Sequence, residues 1–245
     1  MRRHLQLAAA LLLTTGAPAQ FHAFKPKSIR PRIDAEWMWQ YSPPPADGRE
    51  NDLIQDPNFL PFLEESLTAP QTFWGGPSTG SQSGYKPLST TAYDFLAIPG
   101  KVIADDNRYL TVSGCVFHFC ADHGLLWVDL NAKQPLVAFA ATDWVKSGKP
   151  ASDPTAEYTL WLFTNKPFGL TPESPNHLPA ALTRSLARWA AEPTPGARAP
   201  EFISHAVLID PDGTAHPFDP AVLGIKPGLA DANPNPQPAS PDSKK

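Results

Sequence analysis

Four side chains with chemistry to offer fall within nine residues: Cys115, His118, Cys120 and His123. Two thiolates and two imidazoles are a donor set that suits zinc. Their spacing is unlike the usual paired zinc motifs, and four ligands in so short a stretch make a cramped site. A second chemistry uses the same residues differently. Cys115 and Cys120 are the only two cysteines of the chain. Joined as a disulfide, they close a small ring that lifts His118 off whatever carries it. Such a ring suits the probing of another molecule's pocket.

The N-terminus bears on this choice. Arg2, Arg3 and His4 precede the apolar run Leu5 to Leu13, and Ala17-Pro18-Ala19 has the small residues of a cleavage site. Residues 1–19 are therefore expected to be an export signal, too short to span a bilayer. No membrane anchor is expected, and the location is periplasmic or secreted. Two cysteines in an oxidising compartment pair by default. An oxidised pair cannot supply two thiolates, which weighs against the metal. The enclosed loop is short, so the bridge is worth only ~2 kcal/mol of chain entropy. Its expected role is to shape the loop, with a buried structural bridge as the alternative.

Composition divides the rest. Proline makes up 30 of the 245 residues, well above the ~5% average, and much of it clusters. Residues 20–50, with Pro43-Pro44-Pro45, are expected to be an extended Pro-rich segment, and 226–245 a disordered Pro-rich tail. Between them, residues 51–225 suffice for one domain with its own core. The formal charge is −4, and −6 once Arg2 and Arg3 leave with the signal. That excludes a nucleic-acid partner, which needs basic patches, and suits a basic protein.

The elements that must position the ring are legible in outline. Asp56 to Leu67 has the pattern of a short helix, with Asp56 or Asn58 as cap and Phe59, Phe62, Leu63 and Leu67 on its buried face. Strand patterns cover Tyr93–Ile98, Arg108–Gly114, Gly124–Leu130, Leu136–Ala141 and Tyr158–Phe163. Short polar turns between them imply antiparallel pairing. Leu178 to Ala191 is a helix, with Asn176 as cap, Pro179 in its first turn and Leu182, Leu186 and Trp189 in an apolar stripe. Phe202–Ile209, the turn Asp210-Pro-Asp-Gly213 and Thr214–Phe218 form a closing hairpin. The fold class is α+β: an antiparallel meander of about five strands with flanking helices.

Strand, Cys-x-x-His-x-Cys, strand, turn, strand: this order resembles the Ivy family, the inhibitors of vertebrate lysozyme. The family loop reads Cys-Lys-Pro-His-Asp-Cys, and here the six positions are Cys115-Val116-Phe117-His118-Phe119-Cys120. The resemblance covers about 70 residues, Tyr93 to Thr164, and leaves the helix and hairpin after Leu178 as additions. It implies an Ivy-like fold, a Cys115–Cys120 disulfide, and a non-enzymatic protein without cofactor or metal. It also implies that His118 enters the cleft of a c-type lysozyme, or a related glycosidase, and bonds its two catalytic carboxylates. Those carboxyls lie ~5–5.5 Å apart in a retaining glycosidase, and the two nitrogens of an imidazole face opposite ways. The departures are Val116, Phe117 and Phe119, which replace the family's polar flanks and its proline. The two phenylalanines are either anchors in a partner's groove or packed onto this protein's own sheet. The alternative function is an Ivy-like periplasmic binding module with a different protein target. A homodimer is left open.

Other candidates are weaker. Gly76-Pro-Ser78-Thr-Gly80 matches Gly-x-Ser-x-Gly but lacks the strand and helix of a nucleophile elbow. Asp210, Asp212 and Asp219 suggest calcium, although Asp-Pro-Asp-Gly fits a hairpin turn better. His123 reads as a turn residue beside Gly124, and His177, His205 and His216 as structural or solvated. Trp127, Trp144, Trp161 and Trp189 read as core.

Overall fold

Both faces of a seven-stranded sheet are covered by helices, and this explains why its central strands read as nearly unbroken apolar runs. In the computed structural model the described residues are 33–225 except 42–48, 76–83, 133, 147, 154, 168–174 and 198. The expected leader, the Pro-rich tail and the Gly-x-Ser-x-Gly stretch lie outside them. No helix among the described residues is long and apolar enough to cross a membrane.

Helices α1 (Arg49–Gln55), α2 (Phe59–Ser66) and α3 (Leu88–Phe95) precede the sheet. Strands β1 (Ile98–Asp105), β2 (Tyr109–Val116), β3 (Phe119–Asp129), β4 (Leu136–Trp144) and β5 (Glu157–Thr164) follow as an antiparallel meander. Helix α4 (Ala180–Ala190) then returns the chain so that β6 (Phe202–Ile209) runs parallel to β5. Strand β7 (Ala215–Phe218) closes the edge antiparallel to β6. The sheet thus has seven strands rather than about five, because the C-terminal hairpin extends the meander instead of standing apart. The class, α+β, is as expected.

On one face, Phe95 of α3 joins Leu126, Phe139 and Phe163 in a core under α1–α3; on the other, Leu182 and Leu186 of α4 join Trp127, Leu160 and Leu162. Of the four tryptophans expected in the core, Trp127 and Trp189 are buried, and Trp144 and Trp161 are half-buried against it. Phe59, Phe62, Leu63 and Leu67 are all buried, as the helical spacing requires.

Several local expectations are corrected. Tyr93–Ile98 is not a strand: residues 88–95 form α3, with Leu88, Ala92 and Phe95 buried along one face. β1 instead begins at Ile98 and runs through Pro99-Gly100, the pair expected to end a strand. Proline is tolerated there because β1 is an edge strand with an irregularity between Pro99 and Val102. Part of the expected extended segment is folded too: Glu36–Tyr41 is a 3-10 helix with Met38 fully buried. Asp56 fastens it, accepting from the Tyr41 hydroxyl at 2.7 Å and from the Asn58 N–H at 2.8 Å. Asn58 sits at the cap position of α2 with no capping bond from its side chain. At α4 the cap position is Pro179, not Asn176, which lies in the 3-10 turn Pro175–His177.

Two glycines seat α3 on the sheet. Gly114 and Gly124 are cross-strand partners. A Cβ on Gly114 would come within 2.7 Å of Leu96 Cα, and one on Gly124 within 2.8 Å of Phe95 Cβ. Only bare backbone lets the end of α3 lie this close above the base of the β2–β3 hairpin.

Candidate functional site

The ladder between β2 and β3 sets the shape of the cysteine loop. Pairing runs regularly from Tyr109–Asp129 to Cys115–His123, slips by a bulge, and ends with Val116 opposite Phe119. The turn is therefore two residues long, Phe117-His118, shorter than a free six-residue ring. His118 takes a left-handed conformation, φ 64°, as tight two-residue turns demand at one or both positions. Cys115 and Cys120 are bonded, with Cα atoms 4.8 Å apart. The bridge clamps the hairpin just behind its tip and spans the bulge. Cys115 is 2% exposed, so the sulfur bridge closes the hairpin from the core side.

The tip faces outward. Phe117 is 60% exposed and Phe119 37%, while Val116 packs against the core beneath. His118 is exposed, with its ring centroid 3.8 Å from that of Phe117. Phe119 leans toward Trp144, 6.2 Å away. The choice between anchors and inward packing thus divides. Phe117 projects, Phe119 is partly supported by Trp144, and Val116 is the inward residue.

Behind the tip the polar groups are unusually buried. Asp122 is 1% exposed and accepts from the Trp144 N–H at 3.0 Å. Burial pushes its carboxyl up to about 7, and the neighbouring carboxylates of Asp143 and Glu201 add to the rise. Burial also raises Asp143. Tyr158 is raised well above its ordinary value by burial and by the charges of Glu201 and Asp122.

His123 is not a turn residue. It lies within β3, 7% exposed, because the strand begins at Phe119 and not at Gly124. Its Nδ1 is 2.7 Å from Thr142 Oγ1 and 3.1 Å from Glu201 Oε2, and its ring lies 4.5 Å from that of Trp189. The four side chains weighed for zinc therefore do not converge. Two are bonded to each other, one is at the tip and one is inside. Among the described residues no group of three or more His, Cys, Asp or Glu is placed to hold a metal. The three aspartates weighed for calcium serve the backbone or a histidine instead. Asp212 accepts from Thr214 N–H, Asp219 from Ala221 N–H, and Asp210 pairs with His216 Nε2 at 2.8 Å. His177 and His205 are exposed. Glu201 went unmarked in the sequence because nothing local distinguishes it; only the parallel return of β6 brings it beside His123.

No family model matches the chain, and neither any curated protein nor any solved structure matches it.

Proposed function

We propose that the protein is an exported inhibitor that inserts the Cys115–Cys120 hairpin tip into the active-site cleft of a c-type lysozyme or a related glycosidase. The observation that carries this reading is the tip itself, with His118 exposed on a two-residue turn, flanked by Phe117 and clamped by a disulfide. A clamped hairpin loses little conformational freedom on docking. In the cleft, an imidazole between two carboxyls donates or accepts at each of its nitrogens. Each hydrogen bond to a charged partner contributes about 1.5–3 kcal/mol. The apolar area of Phe117 adds contact on the sugar-binding walls, and occupancy alone excludes substrate. No group of this chain needs to do chemistry.

The test is cell-wall lysis followed by turbidity. Wild-type protein is expected to slow a c-type lysozyme, and His118→Ala to lose the effect by about two orders of magnitude in concentration. Equal action by both proteins would remove His118 from the mechanism.

A second reading is favoured by Phe117, 60% exposed at the apex where the resembled loop has a proline. On that reading the aromatic tip docks on a different protein, with Phe117 as the anchor. Phe117→Ala would then abolish binding to the true target while lysozyme is unaffected by either form.

A further inference from the structure

On the α4 face, separate from the hairpin tip, a cleft of about 170 Å³ opens between the β1–β2 edge and the segment that follows α4. Pro99 forms one wall and Pro193 and Pro195 the other, with Trp189 and His123 deeper in. The Lys101 ammonium meets Glu192 at 2.7 Å on its rim, so that cation is already paired. The Ser113 hydroxyl is also committed: it accepts from the Lys101 N–H at 2.9 Å. Of the remaining polar side chains, Thr194 and His123, His123 is the one anchored by buried partners.

Its tautomer follows from its partners. The Thr142 hydroxyl is within 3.4 Å of the His123 carbonyl and gives it its proton, so at 2.7 Å that hydroxyl accepts from Nδ1–H. The Glu201 carboxylate, 3.1 Å from the same nitrogen, asks for the same proton. The Glu201 side chain is 7% exposed, and beyond this contact neither of its oxygens has a hydrogen-bond partner among the described residues. A carboxylate so buried is tolerable only beside a proton carrier. Nδ1 is therefore held from behind, and among the described residues no protein group hydrogen-bonds to Nε2. A carboxylate–histidine pair whose free nitrogen lies at an apolar cleft is a recognition element without its ligand.

From the walls, the volume and this nitrogen, we infer that the cleft binds a hydroxyl-bearing aromatic ring, a phenol. The prolines and Trp189 take the ring by apolar contact. The hydroxyl meets His123 Nε2, donating to it when the imidazole is neutral and accepting from it when the imidazole is charged. A phenol thus satisfies the site in either charge state, which neither an ammonium nor a carboxylate does. About 170 Å³ admits one such ring and little more. The same chemistry comes from a free phenol or from a tyrosine side chain.

The experiment uses the full chain, with proton–carbon NMR of the histidine ring signals. The His123 resonance is assigned by its loss in His123→Gln. Titration with p-cresol is expected to shift His123 and a tryptophan indole at millimolar concentration. Toluene, identical but for the hydroxyl, is expected to bind about fivefold or more weakly, the worth of one hydrogen bond. N-acetyltyrosinamide divides the sources: if it binds as p-cresol does, the ligand is a tyrosine side chain, and if p-cresol alone binds, a free phenol. Equal affinity for p-cresol and toluene overturns the inference, as does absence of any shift at His123. The p-cresol and toluene titrations use unmodified protein and are also read at the tryptophan indole, so if His123→Gln fails to fold the comparison of the two affinities still decides.

Discussion

His118 holds a backbone conformation that costs an L-residue about 1 kcal/mol or more, at the exposed tip of the β2–β3 hairpin. Such strain is cheaply relieved by glycine, which populates φ > 0 freely. His118→Gly is therefore expected to raise stability to urea by about 1 kcal/mol while abolishing inhibition. A variant that loses both stability and inhibition would make the histidine structural. Asp122 gives a second prediction at this scale. Its carboxyl is raised from 3.8 to about 7 in the folded protein, so the folded state holds its proton more tightly than the unfolded chain. Its contribution to stability is then full below about pH 4 and is lost as pH rises through about 7. Asp122→Asn, which stays neutral, should be about as stable as wild type at pH 4. At pH 8 it should be more stable than wild type, by up to about 4 kcal/mol. Parallel denaturation curves at the two pH values would contradict this.

At the scale of elements, the β2–β3 hairpin is aimed by what packs on its base. Gly114 lies under the end of α3, where an added methyl meets backbone rather than a yielding side chain. Gly114→Ala should cost at least about 2 kcal/mol in equilibrium unfolding, and a cost below about 0.5 kcal/mol would mean that α3 is free to move. How much of this was legible depends on whether the deciding partner is near in sequence. The hairpin, the disulfide loop and the β6–β7 turn announce themselves within a dozen residues. Leu88–Phe95 did not, because Thr90, Thr91 and Tyr93 favour strands locally and only burial against Leu126 and Phe139 makes the helical spacing pay. β1 was misplaced for a related reason: Pro99-Gly100 reads as a turn unless the strand is known to be an edge. His123 on β3 and Glu201 just before β6 are far apart in sequence, and only the α4 crossover makes them a pair. Contiguous residues made the tip visible; dispersed ones hid the cleft.

For the whole molecule, two cores on opposite faces of seven strands supply the stability, and the disulfide closes only the short β2–β3 loop. The loop it closes is worth ~2 kcal/mol. The double change Cys115→Ala with Cys120→Ala is expected to leave circular dichroism unchanged and lower stability by about that amount. Inhibition should nevertheless fall by tenfold or more as the tip loses its fixed shape. Full inhibition by the unbridged protein would show that the clamp is dispensable. The central claim is that the tip occupies a glycosidase cleft, and calorimetric titration into a c-type lysozyme addresses it most directly, with and without a saturating chito-oligosaccharide. The account predicts binding by the free enzyme and its loss when the sugar fills the cleft. Binding that the sugar leaves unchanged, or no binding to the free enzyme, would contradict it.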